Sequence, residues 1–520
     1  MSTGSLNTLF MRIAKRAENA DADTLRRTFV AVEPLVTMLE LPEHQVLYGR
    51  RGTGKTHILK YLAETVRREG HVAGYCDLRN VGSSGSLYVD GRVPVSRRAT
   101  HLLIDVVEAL HNALWEAILE LDLDDRVEQL AAAMDHVAEA ATDVRIVGEV
   151  EDEGVVATTD EKSSGGGATV GIGPRGNLTT ERRRRHQSQR SRRVVRRGEQ
   201  HYHVVFGSLV AALHQVMDAI RPRQLWVLLD EWSALPLELQ PFLADLLRRT
   251  LFPVPGITVK IGAIERRSRF ELPGDRGDYT GIELGADTSA SLDLDDFLVF
   301  GNKRAFAVSF FSELLHRHVR VLMHDKGFEL DIPNAPELLS AAFATPGAFQ
   351  ELVLASEGVP RDAINITGLA AAVALRSKIS REDVSAAARD YFLRDKEGRI
   401  PPKAEAALAR LVRRCAEQKS RVLYLRRHGE SNDPVIQQLY DARLIHRVRQ
   451  GILDADDPSI KYEVYLVDYG CFVDLLAGGR GRLRAIDDGL ARELRLVDDT
   501  NVRINSRSYA TLPRAWYRHG

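Results

Sequence analysis

Cysteine is scarce: Cys76, Cys415 and Cys471 are all that 520 residues hold. They stand far apart and without metal-ligand spacing, so they offer no thiolate metal site, and three lone thiols suit a reducing compartment. Net charge is missing as well. Lys and Arg number 71, Asp and Glu 72, and the formal balance is −1. Overall charge therefore says nothing about nucleic acid, and any basic surface has to be local. No apolar run is long enough to span a membrane, and the opening MSTGSLNTLFMRIAKRAENADAD lacks the apolar core of a signal peptide. These absences point to a soluble, cytoplasmic protein without membrane contact. What is present is apolar mass, 44% of residues, in a chain long enough for about three domains.

The most informative stretch is LYGRRGTGKTHIL, residues 47–59. Gly49, four intervening residues, then Gly54, Lys55 and Thr56 form a phosphate-binding loop pattern. Glycines at 49, 52 and 54 let backbone amides close around an anion, and the following helix start adds its positive end. Lys55 suits the β- and γ-phosphates, and the Thr56 hydroxyl suits Mg²⁺. QVLY before the loop reads as a buried strand, and the residues after it as an amphipathic helix. The expected nucleotide-binding set is Gly49, Arg50, Arg51, Gly52, Thr53, Gly54, Lys55, Thr56 and His57.

A second stretch, QLWVLLDEW at 224–232, is an apolar run ending in two acids. A central parallel strand looks like this, and ligands bind at the carboxyl ends of such strands. Asp230 is placed to hold Mg²⁺, and Glu231 to polarise an attacking water. A further strand, ITVKIGAI, ends in Glu265, a candidate γ-phosphate sensor, followed by Arg266, Arg267 and Arg269. These three are candidates for a cation that neutralises transition-state charge, in this chain's own site or a neighbouring subunit's; the alternative partner is the acidic run 293–296. Residues 279–284 (YTGIEL) read as a fifth strand, and 71–79 as the second.

The remainder is organised around this core. Residues 25–39 carry apolar side chains at mixed three- and four-residue steps and are expected beside the nucleotide site, or as a plain surface helix. From about 125 to 202 an acidic piece, a glycine-rich piece and the arginine block ERRRRHQSQRSRRVVRRGEQ interrupt the pattern. A hairpin near 144–156 and a partly flexible loop are expected there, its arginines meeting phosphates or the nearby acids. Residues 300–398 read as consecutive helices. Arg361 sits in the first turn of one of them, where it opposes the helix dipole unless an anion lies near; the alternative is an exposed arginine paired with Asp362. Residues 399–520 read as helix (402–416), strand (421–426), helix (433–445) and two strands, HRVRQGI and KYEVYLVDYGCFVDLL. Arg426, Arg427, His428, His446, Arg447 and Arg449 are candidate phosphate contacts.

Taken together, HQVLYGRRGTGKTHIL, LLDEWSALP, VKIGAIERRSRF, LDLDD and EGVPRDAINI resemble an AAA+ ATPase of the origin-recognition-complex type, especially its prokaryotic ORC/CDC6-like members, over roughly residues 25–475 apart from the insertion. The resemblance implies an α/β P-loop core (1–299), an all-α lid (300–398) and a C-terminal winged-helix-like domain (399–520). It implies ATP and Mg²⁺ at Lys55 and Thr56, an acidic pair at Asp230 and Glu231, and a lid arginine at Arg361 touching the γ-phosphate. It further implies ATP hydrolysis coupled to assembly or remodelling on DNA, with self-association or a protein partner. The sequence departs from the pattern where Glu265 replaces the usual Asn, Ser or Thr sensor, and in the long insertion. The alternative is a nucleotide-gated signalling or scaffold protein whose C-terminal module binds protein, a defence system being one setting.

Overall fold

The computed structural model describes residues 3–14, 20–81, 86–119, 126–141, 144–147, 199–202, 205–274, 277–289, 291–298, 304–325, 332–418, 421–426, 434–453 and 461–476. The arginine block of the insertion, and Arg427 and His428, lie outside them.

Five strands make the central sheet: β1 (Gln45–Tyr48), β2 (Val72–Asp77), β3 (Leu225–Asp230), β4 (Ile257–Ala263) and β5 (Leu292–Asp293), in the order β2-β3-β4-β1-β5. All neighbours are parallel. β1, β3 and β4 are buried along their whole length, as strands covered on both faces must be. One face carries the helix after the phosphate loop, whose Leu62, Ala63 and Val66 pack on Ala73, Trp226 and Leu228. Helices Val95–Leu119, Phe206–Ile220 and Gln240–Thr250 contribute to the larger apolar cluster. Gly74 permits one close approach there: a Cβ on it would stand 2.7 Å from Leu114 Cδ2.

Three expectations change. Residues 279–284 are not the fifth strand; Tyr279–Gly281 pairs antiparallel with Glu271–Pro273 away from the main sheet. The fifth position belongs to the two-residue β5, within the LDLDD run. The insertion does not begin at 125: helix Val127–Ala141 buries Leu130, Met134 and Val137 in the core cluster. Its ends are brought together by a pairing of Val144–Val147 with Glu199–Tyr202, not by a local hairpin.

The helices in the region expected to form a lid are Arg304–Asp325, Ala335–Ala342, Pro346–Ser356, Pro360–Ala374 and Arg381–Tyr391. Their apolar cluster also takes in Leu6, Leu9 and Phe10 of the N-terminal helix Thr3–Arg12. The C-terminal module has helix Pro402–Gln418 and an antiparallel sheet of β6 (Val422–Arg426), β7 (Ile445–Leu453) and β8 (Lys461–Val467), with β8 central. Helix Pro434–Asp441 is shorter than expected, because Arg443 turns left-handed (φ 60°) and β7 starts two residues on. Half of KYEVYLVDYGCFVDLL is not strand but the helix Tyr469–Leu476.

Candidate functional site

The phosphate loop joins β1 to the helix Lys55–Arg68. Gly54 caps that helix at φ 103°, a conformation open to glycine and costly for other residues. The loop folds on itself: Lys55 Nζ donates to the carbonyls of Gly49 (2.7 Å) and Arg50 (3.1 Å). Burial lowers the Lys55 pKa, opposed by the carboxylates of Glu231 and Asp230.

Thr56 and Asp230, expected to share a metal ion, are brought together. The Thr56 hydroxyl donates to Asp230 Oδ2 at 2.6 Å, and Tyr75 Oη donates to the same oxygen at 2.8 Å. The third contact is local: the Glu231 amide donates to Asp230 Oδ1 at 2.8 Å. Glu231 holds a left-handed backbone, φ 57° and ψ 37°, a strained conformation for a side-chain-bearing residue that persists where surroundings enforce it. Gly262 of β4 makes room for this pair, since a Cβ there would lie 2.8 Å from Asp230 Oδ1. Hydroxyl and carboxylate in contact are a hard oxygen donor set that fits Mg²⁺.

Beside the loop lies a cavity of about 310 Å³. Its walls come from four regions far apart in sequence. The N-terminal segment gives Thr24, Leu25 and Thr28; the loop gives Arg51, Gly52, Gly54, Lys55, Thr56 and His57; β2 and β3 lead to Arg79 and Glu231; the lid gives Leu314, His318, Arg361 and Ile364. Four cations (Arg51, Lys55, Arg79, Arg361) and one carboxylate, Glu231, line it; Arg79 is paired with Asp77 (2.6 Å) and stands 3.8 Å from Glu231, and the remaining positive excess favours an anion. His57 and His318 are held neutral at pH 7: burial lowers both, His318 to about 3. The expectation that 25–39 packs beside the site holds for Leu25 and Thr28.

Arg361 is brought to the cavity by the lid helix Pro360–Ala374, and its amide donates to the Gly52 carbonyl at 3.2 Å. Asp362, the alternative partner, is buried with Lys396 (3.0 Å) and Arg443.

Other residues stand elsewhere than expected. Arg50 and Thr53 are buried on the far side of the loop, and neither lines the cavity. Glu265 does not line it either; its carboxylate pairs with Arg447 of β7 at 2.5 Å. Arg266 is buried against the C-terminal module, bonded to Glu463 and the Tyr465 hydroxyl, so it faces inward and not toward a neighbouring molecule. Arg267 pairs with Asp441 at 2.7 Å, while Arg269 is exposed. The acidic run does not meet these arginines: Asp293 pairs with Arg447 (3.1 Å) and Asp295 with Arg50 (3.0 Å). His446 and Arg447, expected to contact phosphates, are buried instead, His446 between Arg50 and Asp468, and Arg447 against Glu265 and Asp293.

Reading the sequence alone missed Tyr75, Gly262 and Arg79. Tyr75 was within reach: β2 and β3 pair with Asp77 opposite Asp230, so Tyr75, two residues earlier, shares a face with the acid.

A parallel sheet, with the glycine-rich loop on one strand and an acidic pair on another, a third strand between them and helices of residues 304–374 against the loop, is an α/β P-loop fold. More particularly, an ORC-CDC6-like family model matches residues 14–80, the segment that holds the loop, so the resemblance to the origin-recognition type is shown there. No curated protein matches the sequence. Among solved structures, the chain is similar to the Aeropyrum pernix ORC1 protein in complex with DNA, at 14% identity and TM-score 0.29 over 91% of this chain and 94% of that one. It is also similar to Drosophila ORC bound to DNA, at 11% identity and TM-score 0.31 over 88% and 92%.

Proposed function

We propose that the chain binds ATP with Mg²⁺ in this cavity, hydrolyses it, and couples nucleotide state to assembly or remodelling on DNA. The observation that supports this most is the convergence of Lys55, Thr56, Glu231 and Arg361 on one cation-rich cavity, from three segments separated by well over a hundred residues. Mg²⁺, held by Thr56 and Asp230, would neutralise charge on the phosphate oxygens. Lys55 binds the β/γ-phosphate end, and Arg361 closes the lid against it. Glu231, projecting from its left-handed turn, takes a proton from the attacking water. Self-association would present Arg269, the exposed member of the three arginines, to a neighbour's site.

The test is direct ATP binding by the full chain and by Lys55→Ala. The wild type binds and the variant does not; equal affinity in both removes the assignment.

A second reading, a nucleotide-gated scaffold whose C-terminal module binds protein, is favoured by one observation: His446 and Arg447, two of the basic residues expected to meet DNA, are turned into the core. Salt dependence separates the two. DNA binding through phosphates weakens linearly in log–log form with salt, with a slope near −0.9 per contact, and a chain without salt-dependent DNA affinity is the scaffold.

A further inference from the structure

The loop's buried side carries a second arrangement that the cavity does not explain. Arg50 is 1% exposed, yet it sits on the phosphate loop. Its Nε pairs with Asp295 Oδ1 at 3.0 Å, its Nη2 donates to the Glu357 carbonyl of the lid at 2.9 Å, and its Nη1 bonds His446 Nδ1 of the C-terminal module. A guanidinium only donates, so His446 Nδ1 accepts and the imidazole is neutral with its proton on Nε2. That nitrogen donates to Asp468 at 3.1 Å. Asp468 takes Lys396 Nζ at 2.5 Å, and the same ammonium reaches Asp362 at 3.0 Å. Asp362 neighbours Arg361, a cavity residue, and is held by Arg443 of the module. Glu357 pairs with Arg421 beside β6.

Cations and carboxylates balance: Arg50, Lys396, Arg421 and Arg443 against Asp295, Glu357, Asp362 and Asp468, all buried. Such a network is poor evidence of stability, because apolar packing serves as well, and its better-attested use is to fix one arrangement among several. Here it fixes three bodies at once. Two of them, the phosphate loop and the first turn of the lid helix, are walls of the cavity, and both lead to Asp468 of the module, one through His446 and the other through Lys396. Directional bonds of this kind switch between discrete states and do not slide.

We infer that Arg50 and His446 couple the cavity to the C-terminal module, so that ATP binding and the seating of the module on core and lid stabilise each other. This rests on the ATP reading above and adds to it a regulated element and the residues that transmit the effect. His446 touches no cavity residue's side chain; it is a positioning residue acting through Arg50. Coupling between binding events is reciprocal, and that reciprocity separates it from a merely structural contact.

The experiment uses the full chain, with amide hydrogen exchange across 434–453 and 461–476 measured with and without a non-hydrolysable ATP analogue, alongside the analogue's affinity. In the wild type the analogue slows exchange in both segments. In His446→Ala that ligand-dependent difference disappears, and affinity weakens by about fivefold or more, the lower range of measured couplings. Arg50→Lys keeps the charge beside Asp295 but cannot span three partners; it gives the same pair of changes and serves where His446→Ala fails to fold. A wild type that binds the analogue with no change in exchange overturns the coupling and leaves the ATP reading standing. Variants that keep wild-type affinity within about twofold overturn it too. A wild type that binds no analogue overturns the ATP reading and the coupling with it.

Discussion

Arg50 and Arg51 are adjacent in one loop and serve opposite faces of it. Arg51 is exposed and lines the cavity; Arg50 is enclosed among Asp295, Glu357 and His446. The difference shows that a phosphate-loop pattern prescribes only the face turned to a ligand. The opposite face is prescribed by partners 245, 307 and 396 residues away, and the same residue type does unrelated work on each. The cavity side is built to act on a molecule from outside. The buried side is built to hold the protein's own parts in register.

The two sides are separable by experiment. On the cavity side, Glu231→Gln keeps the shape but removes the proton acceptor. Hydrolysis is expected to fall by about 10²- to 10⁴-fold, the usual range for a general base, with ATP affinity and melting temperature unchanged. A variant that turns over at the wild-type rate would move the catalytic carboxylate elsewhere. On the buried side, Lys396→Met does the reverse. It leaves Asp362 and Asp468 without the ammonium between them, and breaking a buried pair from one side costs about 3–5 kcal/mol. Chemical denaturation reads this directly. A variant as stable as the wild type would mean that the network relaxes without cost, and the contrast between the two faces would lose its basis.

The cavity side was largely legible in the sequence. Lys55, Thr56, Asp230 and Glu231 are marked by short-range spacing, and a strand followed by two acids needs no tertiary information to be seen. Arg361 was picked out by the resemblance; its place in a first helical turn left an exposed arginine paired with Asp362 equally open. The buried side was not legible, for physical reasons. His446 and Arg447 lie in a basic stretch that looks like a solvent-facing surface, and only the carboxylates of Asp468, Asp293 and Glu265 turn them inward. Arg266 went the same way once Glu463 and Tyr465 enclosed it. The fifth strand was misplaced because its two residues, Leu292–Asp293, are too few to show a period, while YTGIEL alternates well enough to suggest one.

The smallest expected effect is in the pH dependence, and it involves both faces. Burial lowers the pKa of His446 on the inner side and of His57 and His318 on the cavity side; His44, at the other end of β1, is lowered too. A histidine with a depressed native pKa is neutral in the fold but protonated in the unfolded chain below about 6.5. The unfolded state then binds more protons, so stability is full above that pH and is lost as pH falls toward the native pKa. Asp293 works against this trend. Burial raises its carboxyl to about 7, so between its unfolded value and 7 the native state binds the extra proton and gains stability on acidification. Burial raises Asp296, Asp441 and Glu40 too, and they act in the same sense as Asp293; each such group changes the unfolding free energy by up to about 1.4 kcal/mol per pH unit. The share due to His446 is a loss of stability of up to about 1.4 kcal/mol per unit as pH falls below about 6.5, measured by denaturant unfolding at fixed ionic strength. In His446→Gln, which has no group to titrate there, the slope should be shallower by one proton. A slope unchanged in that variant would show that His446 is charged in the native state, and the neutral bridge between Arg50 and Asp468 would have to be abandoned.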